Sequence, residues 1–347
     1  MQILLIFMIL KQTFSLENGL INNFNLWLDK YKVDITNKTT YNKIFTNWVE
    51  NDLFINNINS YNLSYKLAHN YYSGYSFSEF REIMNFDNNK KIHHINYDDN
   101  YSKPILNDDI MPPINNMILE SIDWRTNGVV NPIKDQGQCG SCWSFSTIQA
   151  LESASAIKYG ILNILSEQEL VDCDNFKNGG KDSGCNGGLM DNAFTWISKN
   201  NGICSESDYP YVSGITKTSN KCNNSGCSNV KNTDIINFID IEISSDSAMM
   251  TAITIGPVAV AIEADQKLFQ FYSTGIFTAT CGTNLDHGVG LVGYTNDYWI
   301  LRNSWGTSWG SNGYMLLGKG IDPNTKKSYN NGQGQCGVLL QGSYPIL

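Results

Sequence analysis

Helical periodicity marks the first half of this chain, and short β-rich runs mark its last third. Residues 17–86 are rich in Asn and aromatics and read as helical: Trp48, Asn51, Ile55 and Asn59 recur at spacings of three and four, which lines one helical face. Residues 88–113, with Lys90-Lys91, acidic pairs and Pro112-Pro113, hold little core material and read as an extended linker open to cleavage. Residues 141–159 predict a helix with Trp143, Ile148, Leu151 and Ile157 as its apolar positions and Gly160 as its stop. Ser166-Glu167-Gln168-Glu169 has the form of a capping box opening a second helix. A third helix is expected over 189–200, closed by Asn201-Gly202, and a fourth over 246–255, stopped by Gly256-Pro257. Residues 258–264, 275–277, 287–294, 298–304 and 313–317 then read as short strands separated by turn residues. Helices followed by strands predict an α+β body of two subdomains, with any site built from both halves lying in the cleft between them.

Length and charge narrow the picture. At 347 residues the chain has room for one large or two ordinary domains. Its 33 Asp and Glu outnumber 24 Lys and Arg, a net charge of -9 that repels phosphate backbones and argues against nucleic-acid binding. Residues 1–10 are apolar but too short to span a bilayer, and with Thr13 and Ser15 behind them they read as a secretory signal cut near Ser15. No other run is apolar and long enough to cross a membrane. All nine cysteines lie between Cys139 and Cys336, so a disulfide-bonded body follows a cysteine-free segment with other duties. The odd count leaves one thiol over.

That thiol has a candidate. Cys142 sits where the loop Gly137-Gln138-Cys139-Gly140-Ser141 gives way to a helix, whose N-terminal partial charge favours a thiolate. From residue 118 onward His287 is the only histidine, and Asn303-Ser304-Trp305-Gly306 follows it. A cysteine, a histidine and an asparagine in that order supply a nucleophile, a base and an orienting amide. An imidazolium beside Cys142 is expected to hold it as thiolate, since paired cysteines of this kind reach pKa values of about 3–4 instead of about 8.5. Gln136 and the Cys142 backbone N–H could donate to an oxyanion, and Trp305 could shield the His287–Asn303 bond from water. Taken alone, Cys139-x-x-Cys142 reads more readily as half a zinc site or a redox pair. A zinc site lacks companion ligands here, and a redox pair lacks its βαβ context.

Together these motifs resemble the papain family of cysteine proteases, in its cathepsin L-like branch, over nearly the whole chain from about Asn23. The segments carrying the resemblance are Ile122-Asp123-Trp124-Arg125, Gln136 through Phe145, Asp286-His287 and Asn303 through Gly306. It implies a papain-like two-subdomain α+β fold, a helical left half and a β-barrel-like right half, preceded by a helical inhibitory proregion. The implied organisation is a signal over 1–15, a propeptide over 16–117 (helical part about 23–86, linker about 88–117) and a mature peptidase domain over 118–347. Catalytic roles pass to Gln136, Cys142, His287 and Asn303, with no cofactor and no metal. The family's helical proregion pattern falls on Thr40, Ile44, Trp48, Asn51, Ile55 and Asn59, without its two charged members; a second motif falls on Ala68, Asn70, Tyr72 and Gly74, without its acidic end.

Eight cysteines allow 105 pairings. The resemblance selects Cys139–Cys185, Cys173–Cys222 and Cys281–Cys336, which leaves Cys204–Cys227, a pair similar to one in falcipain-like members. By the same resemblance Gly187 and Gly188 offer backbone groups to an extended substrate in the manner of strand addition. Leu189, Met190, Ala261, Leu285 and Gln341 line a pocket for the substrate's second residue, and Trp305 flanks the cleft. The pocket carries no formal charge, so a bulky apolar side chain is expected there. The short 173–185 interval has no histidine for a cathepsin B-type occluding loop, and the short 287–303 interval leaves no room for a falcipain-type arm. The expected activity is that of an endopeptidase on protein and peptide substrates. Its own propeptide and cystatin-like proteins are the expected inhibitors, a monomer the expected state, and a lysosome, endolysosomal vacuole or the exterior the expected location. Asn37, Asn62, Asn100 and Asn223 open glycosylation triplets. Two other readings stand against the endopeptidase: a catalytically idle homologue that binds peptides, and a disulfide-rich structural or adhesion protein.

Overall fold

The computed structural model describes residues 19–84, 119–223 and 226–347. The expected signal, the linker, Asn100 and the boundary near residue 118 lie outside the described residues. Among the described residues no helix is long and apolar enough to cross a membrane.

The N-terminal segment builds a small aromatic core of its own. Residues 19–31 form α1 and Lys38–Asn59 form α2, which Asn37 caps by accepting the Thr40 N–H at 2.9 Å. Phe24 of α1 packs against Trp27, Phe45 and Trp48 at centroid distances of 5.8, 4.9 and 5.6 Å. On α2 the expected face is the buried one: Trp48, Asn51 and Ile55 point inward. Asn59 grips Leu67 with both amide atoms, at 2.9 and 2.8 Å. Here the helical reading of 17–86 fails, because Tyr65–Leu67 is a strand, β1. It pairs antiparallel with Tyr272–Phe277 of the body and buries Tyr65 and Leu67 in the body's core. Three residues carry too little periodicity to betray a strand whose partner lies some 200 positions away. The segment ends in α3, Phe77–Ile83, opened by a reciprocal capping box between Ser76 and Glu79.

At Gly74 a Cβ would lie 2.8 Å from the Trp27 ring, so the acidic residue missing there would have no room. Glu79 supplies a carboxylate next to it. Asn47 donates to Gly74 O at 3.0 Å and to Glu79 Oε2 at 2.9 Å, and Lys43 forms an ion pair with Glu79. Burial lifts the Glu79 carboxyl, but Lys43 and Ser76 outweigh it and hold it below the usual range.

The body opens with β2, Ile122–Asp123, and then builds its helical half from α4 (Cys142–Tyr159), α5 (Glu167–Cys173), α6 (Met190–Lys199) and α7 (Ser213–Thr216). Trp143, Ile148, Leu151, Leu170, Phe194 and Ile197 share one buried cluster, while Ile157, expected inside, is exposed. α4 is buried nearly all round, and its polar residues find partners: Ser146 Oγ donates to Val289 O at 2.6 Å and Glu152 accepts from Lys134 at 2.8 Å. Gly160 ends it in the left-handed region at φ 76°. Only half of the expected capping box at α5 forms. Ser166 accepts the Glu169 N–H at 3.0 Å, but the Glu169 carboxylate turns away to the Cys204 N–H at 2.7 Å and to Asn200.

The second half is a sheet. β3 (Asn237–Asp240), α8 (Asp246–Ile255), β4 (Val258–Ile262), α9 (Lys267–Gln270), β5 (Tyr272–Phe277), β6 (His287–Tyr294), β7 (Tyr298–Arg302), β8 (Tyr314–Gly318) and β9 (Gly342–Ile346) follow in turn. The strand order is β1-β5-β8-β7-β6-β4-β9-β3, with β2 paired to β6. β2, β3 and β9 were not foreseen; two of them lie at the sheet's margins, where alternation is weak. All eight residues of β6 are buried, since α4 covers one face of this strand. Four disulfides, Cys139–Cys185, Cys173–Cys222, Cys204–Cys227 and Cys281–Cys336, staple the body and leave Cys142 as the free thiol. Each is worth about 2–4 kcal/mol.

Candidate active site

Two glycines let the helix and the strand meet. A Cβ on Gly288 would lie 3.2 Å from Cys142 O, Trp143 N and Trp143 Cα, and one on Gly290 would lie 2.3 Å from the Gln149 amide. With no side chains there, β6 runs directly under the first turn of α4, and His287 arrives beside Cys142. Backbone N–H groups of Gly288, Trp143 and Cys142 itself reach the sulfur. His287 Nε2 is paired with Asn303 Oδ1 at 2.8 Å, so Nδ1 is the ring nitrogen that Asn303 does not engage. Trp305 stacks on the imidazole at 4.8 Å.

Sequence reasoning expects Cys142 as a thiolate beside an imidazolium. In this structure burial pushes the Cys142 thiol up to about 11, against the pull of those three N–H groups. It pushes His287 down to about 4, with the Asn303 bond opposing. Burial thus opposes the charge on each group taken alone. The ion pair can form only if both charges appear together, and solvent entry into the cleft favours both.

Gln136 is fully buried and its amide is fixed at both ends. Its Oε1 accepts the Ser304 hydroxyl at 2.7 Å and its Nε2 donates to Cys139 O at 3.1 Å. The backbone around it is braced by Ser304 O, which accepts the Gln136 N–H at 2.8 Å, and by Tyr211, whose hydroxyl bonds Gln136 O and the Ser141 hydroxyl. Neither Ser304 nor Tyr211 was singled out from the sequence. Ser304 lies inside a recognised motif and could have been flagged, but Tyr211 comes from a loop 75 residues away and has no local signal.

On the cleft wall the two glycines differ. Gly187 gives its N–H to Gly184 O and its C=O to Ser183 N–H, while among the described residues nothing bonds the backbone of Gly188. A Cβ on Gly188 would fall 2.5 Å from the Trp143 ring, so glycine is needed there to let the chain lie against Trp143. Of the two glycines expected to be open, Gly187 thus has both backbone groups engaged, and Gly188 has neither among the described residues. Met190, Ala261 and Leu285 lie in one apolar cluster, Gln341 O is tied to the Ala261 N–H at 2.9 Å, and Leu189 is half-buried beside Met190. Behind the wall Asp174 and Asp182 are buried with their carboxyls hydrogen-bonded to each other, and burial with their mutual repulsion raises Asp182 far above the carboxylate range.

The N-terminal segment reaches this cleft. Tyr72 and Phe80 meet Trp305 edge-on at 5.9 and 5.3 Å, Asn70 donates to Gln270 O at 2.7 Å, and Arg81 pairs with Asp265 at 2.8 Å.

The family model of papain family cysteine proteases matches residues 118–346. The chain is 45% identical over 249 residues to the probable cysteine protease RD21C of Arabidopsis thaliana, covering 70% of this chain and about half (51%) of that relative. It is 39% identical over 336 residues to the KDEL-tailed cysteine endopeptidase CEP2 of the same plant, covering 95% and 87%. Among solved structures it is similar to the proform of the ragweed pollen cysteine protease Amb a 11, with a TM-score of 0.77 at 31% identity and 95% of each chain covered.

Proposed function

Since the chain belongs to the papain family of cysteine proteases, we propose that it is the precursor of a cysteine endopeptidase whose N-terminal segment is an inhibitory proregion. The observation that carries the reading is the one free thiol, at the N-terminus of an 18-residue helix, beside an imidazole clamped between Asn303 and Trp305.

Once the cleft is open to substrate, Cys142 passes its proton to His287 Nδ1, and the thiolate attacks the scissile carbonyl carbon. The developing oxyanion takes the second Nε2–H of Gln136 and the Cys142 backbone N–H; loss of one such donor typically costs on the order of 10²–10³ in rate. His287 returns its proton to the leaving amine, and water then hydrolyses the acyl-enzyme with His287 as base. Asn303 keeps the ring oriented throughout. Gly188 pairs with the substrate backbone, and Leu189, Met190, Ala261, Leu285 and Gln341 favour Leu, Phe or Val at the substrate's second residue. The four disulfides support folding in an oxidising compartment, with delivery to a lysosome or vacuole or secretion as the route.

Cys142→Ser should leave a folded protein without peptidase activity, because oxygen is nearly isosteric with sulfur but is not ionised. Turnover above about a thousandth of wild type would count against this nucleophile, given that triad losses run to about 10⁴–10⁶. Faster cleavage with Arg than with Leu at the second position would overturn the pocket assignment.

A further inference from the structure

The Arg81–Asp265 pair joins the proregion to the rim of the cleft, and its position relative to His287 gives it a second meaning. Asp265 is tied to the residue that precedes His287. Asp286, the residue before His287, accepts the N–H of Ala264 at 2.8 Å and also that of Asp265, so Asp265 rides on the same loop edge as the base. Its carboxylate is half-buried; Oδ1 is buried with no donor among the described residues, and Oδ2 takes the Arg81 guanidinium at 2.8 Å. Burial and the neighbouring Glu263 raise the Asp265 carboxyl while Arg81 opposes them, and Glu263 and Asp265 in turn help to raise Asp286. His287 must hand its proton to the leaving amine, so the leaving-group half of a substrate passes His287 and Trp305. Gly188 and the apolar pocket hold the other half. Tyr72, Phe80 and Arg81 of the proregion stand on that leaving-group side.

We propose that Asp265 is a specificity carboxylate for the leaving-group side of the substrate: the place that Arg81 fills in the precursor takes a Lys or Arg side chain one or two residues past the scissile bond. The inference rests on the endopeptidase reading. When the proregion is cut away Arg81 leaves with it, and a partly desolvated carboxylate beside Glu263 loses that partner. A substrate cation restores it. The chemistry required is a long basic side chain, Arg above Lys because the planar fork can engage one carboxylate with two N–H groups.

The test uses the mature enzyme and quenched fluorescent peptides that share Leu at the second residue and vary the two residues after the cut among Arg, Lys, Ala and Glu. With a charge-assisted bond to a carboxylate that is still partly hydrated, kcat/KM for Arg peptides should exceed that for Ala peptides by about tenfold, and Glu peptides should be slowest. Within Asp265→Asn the Arg-to-Ala ratio should fall to near one, and Asp265→Glu should restore most of it. Because the ratio is taken within one protein, altered folding or overall rate cancels. In wild type alone, raising the salt from 0.05 to 0.5 M should shrink the ratio. Equal rates for Arg and Ala peptides in wild type, or an unchanged ratio in Asp265→Asn, would overturn the proposal while leaving the endopeptidase intact. Failure to cleave any peptide would instead strike the endopeptidase reading on which it stands.

Discussion

Gly288→Ala separates the geometric account of this site from a merely compositional one. The added Cβ would lie 3.2 Å from Cys142 O, Trp143 N and Trp143 Cα, all of them backbone of the first turn of α4. No rotamer change relieves such a clash, so β6 and α4 must separate by a few tenths of an ångström. Overpacking of this kind costs about 1–3 kcal/mol. The greater effect falls on the chemistry, because Cys142 and the neighbour of Gly288, His287, move apart. A misplacement of 1 Å costs about 10²-fold, so a few tenths should cost roughly three- to tenfold in kcat/KM. Gly290→Ala is the control. The nearest atoms to its Cβ would all belong to the Gln149 side chain, three strand positions from His287, and it should cost stability with a smaller effect per active site. Active-site titration with a thiol-directed epoxide, followed by kcat/KM per titrated site and a thermal melt, resolves the two terms. If Gly288→Ala matches wild type in turnover per site, or Gly290→Ala loses as much, the helix–strand contact does not set the Cys142–His287 geometry.

Asn303→Ala should lower kcat by about 10–10³-fold with little change in the affinity for peptide, since it frees the imidazole without removing a reacting group; a change confined to KM would refute the orienting role. The buried Asp174–Asp182 pair holds a shared proton in the folded state that the unfolded chain gives up above pH about 4. Folded protein then binds more protons than unfolded, so stability should fall as pH rises from that point, by at most about 1.4 kcal/mol per unit; Asp182→Asn, which cannot ionise and whose amide can donate to Asp174, should flatten the curve, and parallel melting curves from pH 4 to 8 would sink the idea. Glu79, held below its ordinary range by Lys43, stabilises the proregion above the usual carboxylate range, and that contribution is lost as pH falls through its folded value. Glu79→Gln should therefore shorten the lag of self-activation at pH 6.5 toward that of wild type in acid, and an unchanged lag would remove Glu79 from the acid response.

Much of the site was legible one residue at a time. The order of Gln136, Cys142, His287 and Asn303, the start of α4 at Cys142, the stop at Gly160 and the bounds of β6 all follow from local signals: a loop-to-helix transition, a left-handed glycine, a run of buried strand residues. Such features depend on neighbours within a few positions, so sequence alone determined them. What it could not reach is set by contacts between distant segments. β1 exists as a strand only because the edge of β5 is there to pair with it and Asn59 is there to hold it. Glu169 abandons its capping box because Cys204 N–H, brought close by the fold, is a better-placed donor. Ser304 and Tyr211 brace Gln136 from two remote loops. The charge state of Cys142 and His287 turns on burial, a property of the packed whole, and there the helix N-terminus that argues for a thiolate is outweighed by desolvation. Residue identity settled which groups are present and in what order, whereas their partners, exposure and protonation were decided by which surfaces the tertiary structure pressed together.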